Sequence, residues 1–159
     1  MSESELSSDT TRLLRHIVAT IAYRSSRSLR DAPDGFENFR LPGESKSAGE
    51  LLLHMTNVLA FALATVTHTD RVRHEALGWK AEIDRFYSLL GDLDEQLDEG
   101  VFLEPDMDLK LVQGPLCDAL THIGQLHAMR RAAGFPIAPS NYIKAEIHIG
   151  CTSLMKQPD

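Results

Sequence analysis

Between Ser47 and His68 the chain reads SAGELLLHMTNVLAFALATVTH, a stretch whose apolar residues run nearly all the way round a helix instead of along one side. A helix with so little polar surface has to be enclosed by others. Its start is marked by Ser47 and Glu50, an S-x-x-E pair in which each side chain caps the other residue's backbone N–H. The apolar run Leu51–Val66 is broken by His54, Thr56, Asn57 and Thr65, so it reads as too short and too polar to span a bilayer. It is therefore expected at the centre of a bundle. His54 falls in its first two turns, on the same side as Leu51, Val58 and Phe61, and is expected to be buried.

The rest of the chain supplies the enclosing helices. Asp9 or Thr10 can cap a first helix reaching Leu29, with Leu13, Leu14, Ile17, Ile21 and Leu29 at helical spacing. Residues 31–46, DAPDGFENFRLPGESK, carry two prolines and two glycines and form a loop that Phe36, Phe39 and Leu41 should tack to the bundle. The periodicity predicts a third helix over 75–97, with Leu77, Ile83, Phe86, Leu89, Leu90 and Leu93 inward and a solvated acidic end, DLDEQLDE, that suggests neither a calcium site nor catalysis. A connection over 98–113 leads into GPLCDALTHIGQLHAMRRAAG. Here Pro115 suits a first turn and Gly134 followed by Pro136 marks the stop. The remaining tail, FPIAPSNYIKAEIHIG, should pack as an extended arm against the bundle or against a second subunit of a homodimer. Its NYIKAEIHI alternation could also suit a short strand. Four substantial helices with two long connections make this an all-α chain, a four-helix bundle forming a single domain over 1–159 with 1–8 as a flexible tail.

Charge narrows the function classes. With 23 acidic against 16 basic residues and a formal net charge of −7, overall attraction to nucleic acid or to an anionic membrane is not expected. The two cysteines, Cys117 and Cys151, form no CxxC pair and read as reduced thiols of a cytoplasmic protein. The opening MSESELSSDTT has neither the basic nor the apolar region of a signal peptide.

On the fourth helix Leu116, Ala119, Ile123 and Leu126 share an apolar arc, and Asp118, His122 and Gln125 form a polar stripe at its edge. Asp118 and His122 are one turn apart, the spacing of two metal ligands on one helix. The same spacing also suits a seam in which the two bond each other or a buried water. His54 is either a satisfied core histidine or a neutral imidazole of the kind a metal takes. His68 and His74 are expected in solvent, and His16 and Tyr23 carry no assignment. His127 lies too far round the helix to join Asp118 and His122, and His148 could reach them only if the arm folded over.

SAGELLLHMTNVLAFAL resembles the second helix of the DinB-like family of metal-binding four-helix bundles, and THIGQL resembles that family's H-R-G-Q-I pattern on its fourth helix. RRAAGFPIAPSNYIKAEI resembles a closing segment from one branch of the family, so the similarity spans most of the chain. The resemblance implies that His54 and His122 are metal ligands. Where the family usually has another histidine, four residues before the last, this chain has Asp118. A carboxylate also ligates divalent ions, so the implied set is His54, Asp118 and His122, unless the metal was lost with that histidine. The resemblance further implies a divalent ion, zinc or nickel first, and a transferase or isomerase that uses a low-molecular-weight thiol on a small electrophile, with Gln125 orienting a ligand from behind. The alternative is a non-enzymatic, stress-associated bundle or scaffold whose polar seam is structural.

Overall fold

The structure, a computed structural model, describes residues 4, 5, 7–43 and 46–157. Helix α1 spans Ser8–Leu29, α2 Ala48–Thr67 and α3 Trp79–Glu99. A fourth helical rod begins as α4 (Met107–Leu111), widens through a π turn (Val112–Leu116) and continues as α5 (Cys117–Ala132). The chain is thus an all-α helical bundle. Two-residue strands β1 (Ser4–Glu5) and β2 (Phe102–Leu103) pair antiparallel, so part of the expected tail is tied down; residues 1–3 and Leu6 lie outside the described residues.

Packing follows a ring. α2 lies against α3 and α5, and α1 lies against α3 and α5, so α1 and α2 are diagonal partners. The helix expected at the centre is therefore one corner of four. Leu52, Met55, Leu59 and Ala62 face the core with no exposure, but Phe61 on the outer side is 43 % exposed and His54 is half-buried. By length and apolarity α2 would pass for a membrane span, contrary to the expectation from its shorter apolar run; 44 % of that window is buried inside the bundle. Its predicted capping box is present, with Ser47 Oγ accepting from Glu50 N–H and Glu50 Oε2 accepting from Ser47 N–H.

Three boundaries moved, each for a local reason. α1 starts two residues early because Ser7, not Asp9 or Thr10, caps Thr10 N–H, and Leu13 then falls outside, 58 % exposed. α3 starts at Trp79 and not at 75. Glu82, itself buried, turns its carboxylate back to accept from Leu77 N–H at 3.3 Å and Thr56 Oγ at 2.7 Å, and Arg85 pairs with it. That leaves Leu77 outside and residues 69–78 without regular structure. In the fourth rod Pro115 does not open the helix. It sits inside it, where its missing N–H and bulky ring are absorbed by the wider π turn.

The acidic end of α3 is not wholly solvated. Asp94 is buried and takes a two-pronged bond from Arg15 of α1, with both N–O distances 2.9 Å, while Asp98 pairs with the same guanidinium. These bonds hold the Arg15 guanidinium above its ordinary pKa. Ser25 Oγ meets the Tyr87 hydroxyl at 2.8 Å across the same helix pair, and burial pushes the Tyr87 pKa up.

The fourth rod stops as predicted. Gly134, at φ 86°, donates to Arg131 C=O and Phe135 donates to Arg130 C=O, the paired bonds of a left-handed helix end that glycine adopts without strain. The tail forms an arm, with no strand among its described residues, and lies along α1 of its own chain. Arg27 donates to Ala138 C=O at 2.6 Å, Arg24 stacks on Tyr142 at 4.0 Å, and Arg30 donates to Leu154 and Gln157 carbonyls. Phe36, Phe39 and Leu41 pack the described part of that loop, residues 31–43, onto the core as expected.

Two outcomes follow. Asp94→Ala strands the half-buried Arg15 and should lower stability by about 2 kcal/mol, or roughly 4–8 °C in Tm, in a thermal melt. His127 is held below the ordinary histidine pKa, first by burial and then by neighbouring arginines. The folded state therefore resists protonating it, so stability should fall as pH drops below about 6.5, and His127→Gln should flatten that part of a Tm-against-pH curve.

Candidate metal centre

Because α2 and α5 are neighbours in the ring, the side of α2 that carries His54 turns toward the polar stripe of α5. His54 Nε2 lies 3.4 Å from Asp118 Oδ2, and His122 Nε2 lies 3.3 Å from Asp118 Oδ1. The two imidazoles meet edge to face with centroids 4.7 Å apart. One ligand atom from each of the three residues falls within 4.8 Å of the others, so the group can hold a metal ion. A zinc ion bound at about 2.0–2.1 Å sets tetrahedral ligand edges of roughly 3.3–3.4 Å; the two imidazoles stand at that range from different oxygens of Asp118, and a shared ion needs the three groups to draw onto one point.

The protonation pattern sharpens this. His122 Nδ1 is 2.6 Å from Gln125 Oε1, so with the amide oxygen in that position the ring carries its proton on Nδ1. In the neutral ring Nε2 then presents a lone pair to the carboxylate oxygen 3.3 Å away, and in the doubly protonated ring it donates to that oxygen. Two electron-rich atoms stay that close when a cation lies between them, either a metal ion or a second proton on the ring. Gln125 thus holds the His122 ring from behind, the place that a partner of a metal-bound histidine takes.

Local sequence explains the placement. The π turn around Pro115 ends at Leu116, so Asp118 follows directly on a widened turn, the kind of irregularity often found beside functional groups. His54 is not buried as expected. Its side chain is 39 % exposed and that of Asp118 is 42 %, against 17 % for His122, which leaves the group open on one side.

None of the other histidines joins the group, although His74 lines a cavity beside it. His127 Nε2 bonds Arg24 C=O at 3.1 Å, on the α1 side. His148 lines a cavity with Asp9, Arg12 and His16, so the arm does not close over the centre. His68 is exposed and bonds Phe102 C=O at 2.7 Å, and His74 is held through its backbone by Asn57.

Two cavities flank the centre. One of about 490 Å³ contains Asp118 with Val58, Phe61, Pro115 and Cys117, and one of about 640 Å³ contains His54 with Asn57 and His74. Arg71 lines both. The outward Val58 and Phe61 explain why α2 is apolar beyond its core face. Helical spacing puts Val58 and Phe61 on the side of His54, as found, but that side was expected to be enclosed and Phe61 is 43 % exposed; Arg71 sits in an irregular segment where periodicity offers no signal.

Comparison of the chain with protein-family models, curated proteins and solved structures gives no match.

Gln125→Leu should keep the fold and weaken zinc binding roughly tenfold in a competition titration with a chromophoric chelator. Unchanged affinity would remove the supporting role assigned to Gln125.

Proposed function

We propose that this chain binds a divalent metal ion through His54, Asp118 and His122, and that it acts as a DinB-like enzyme joining a low-molecular-weight thiol to a small electrophile, as a transferase or isomerase. The observation that carries the metal reading is the convergence of His54 Nε2 and His122 Nε2 on the Asp118 carboxylate, with Gln125 Oε1 against His122 Nδ1. Two imidazoles and a carboxylate suit zinc or nickel. When bound, an ion with three protein ligands keeps positions open for an exogenous ligand and stabilises a thiolate over its thiol. The rest of the task falls to the chain: His54 and His122 supply neutral nitrogens, Gln125 keeps His122 in the donating tautomer, and Phe61 and Val58 give the neighbouring cavity an apolar wall.

A second reading rests on the half-exposure of His54 and Asp118. There the imidazoles take a second proton against Asp118, water satisfies the rest, and the bundle is a non-enzymatic scaffold. Metal analysis of protein purified without a histidine tag separates the two. Near-stoichiometric zinc or nickel, lost in His54→Ala and His122→Ala while the helical signal survives, supports the first reading. Metal-free protein that neither binds added zinc or nickel nor gains thermal stability from either favours the second.

A further inference from the structure

The segment between α2 and α3 has no regular structure, yet it is fastened. Asn57 accepts from His74 N–H at 2.8 Å and donates to His74 C=O at 3.3 Å, and Arg85 donates to Glu75 C=O at 2.7 Å. This clasp fixes the strap that carries Arg71. The Arg71 guanidinium stands over the Phe61 ring at 5.5 Å, and among the described residues it pairs with no carboxylate. Arg71 is exposed, and its guanidinium stands at the mouth of a cavity with apolar walls, where it is available to an incoming anion.

That cavity, of about 490 Å³, has Arg71 as its one cationic lining residue among those described and Asp118 as its one carboxylate. Val58, Phe61 and Pro115 make its walls apolar. A single planar guanidinium resting on an aromatic ring suits a carboxylate, which it grips with two parallel N–H bonds; a phosphate usually gathers several cations or a nest of backbone N–H groups. Asp118 would repel such an anion when free. Committed to a divalent ion, it leaves the neighbourhood positive.

We propose that Arg71 anchors a site for a small carboxylate with an apolar or aromatic body, which lies on Phe61 and Val58 with its far end toward Asp118. This names the substrate class for the metal centre and rests on that reading for what the far end meets. Arg71 and Phe61 are the specificity residues: one selects the charge, the other the flat apolar body. A neutral analogue loses the guanidinium bonds, and a long polar molecule gains nothing from the walls.

The probe is sodium benzoate, followed in ¹H–¹⁵N spectra of the full chain with and without zinc, against neutral benzamide. Benzoate should shift the amides of Phe61, Arg71 and Cys117, bind more tightly to the zinc form, and lose about tenfold or more in affinity in Arg71→Gln. Arg71→Lys, which keeps the charge and loses the fork, should fall between. Benzoate binding that Arg71→Gln leaves unchanged, including binding to the zinc ion alone, overturns the proposal, as does benzamide binding equally well. The metal reading is scored separately by zinc stoichiometry: Arg71-dependent benzoate binding by a chain that takes no zinc keeps the carboxylate site and removes the metal centre.

Discussion

The candidate centre depends on one arrangement: Gln125 Oε1 holds His122 Nδ1 at 2.6 Å, which turns His122 Nε2 toward an Asp118 oxygen 3.3 Å away. With Nε2 unprotonated the two atoms repel. They face each other because α5 places Asp118 and His122 one turn apart, while the packing of α2 on α5 brings His54 to the remaining side. A cation resolves the repulsion and uses the same three atoms.

The bundle keeps that packing in register with buried polar pins, not with apolar contact alone. Arg15 and Asp94 lock α1 to α3, and Glu82 with Thr56 locks α3 to α2. Arg130 of α5 donates to Ser28 C=O of α1 at 2.7 Å and pins a third seam of the four. Apolar faces can slide past one another with little penalty, whereas a misplaced charge pair leaves unsatisfied groups in the interior. The same clasp logic carries outward: Asn57, three residues beyond His54, fixes the segment that bears Arg71. His54 and the wall of the adjoining cavity are therefore set by the same turns of α2.

Much of this was readable from the chain. The four helices, the capping box at Ser47 and the stop at Gly134 follow from local chemistry, because caps and glycine ends act within a turn. The stripe of Asp118, His122 and Gln125 was visible from 3.6-residue periodicity. What escaped was set by partners distant in sequence. The acidic end of α3 looked solvated because Arg15 lies far from Asp94 in the chain and meets it only in the fold. His54 was expected to be buried because an all-apolar helix implies full enclosure, but a four-membered ring gives each helix an outer side, and here that side lines a cavity. The start of α3 moved because Glu82 was engaged with Thr56 and Arg85, a use of its carboxylate that no pattern within α3 announces.

The most direct test is a crystal of the tag-free protein grown with zinc and measured across the zinc absorption edge. The account predicts a single strong anomalous peak about 2.0–2.2 Å from His54 Nε2, His122 Nε2 and an Asp118 oxygen, with Gln125 still bonded to His122 Nδ1. A map without a peak between those residues, with both imidazoles hydrogen-bonded directly to Asp118, would contradict it.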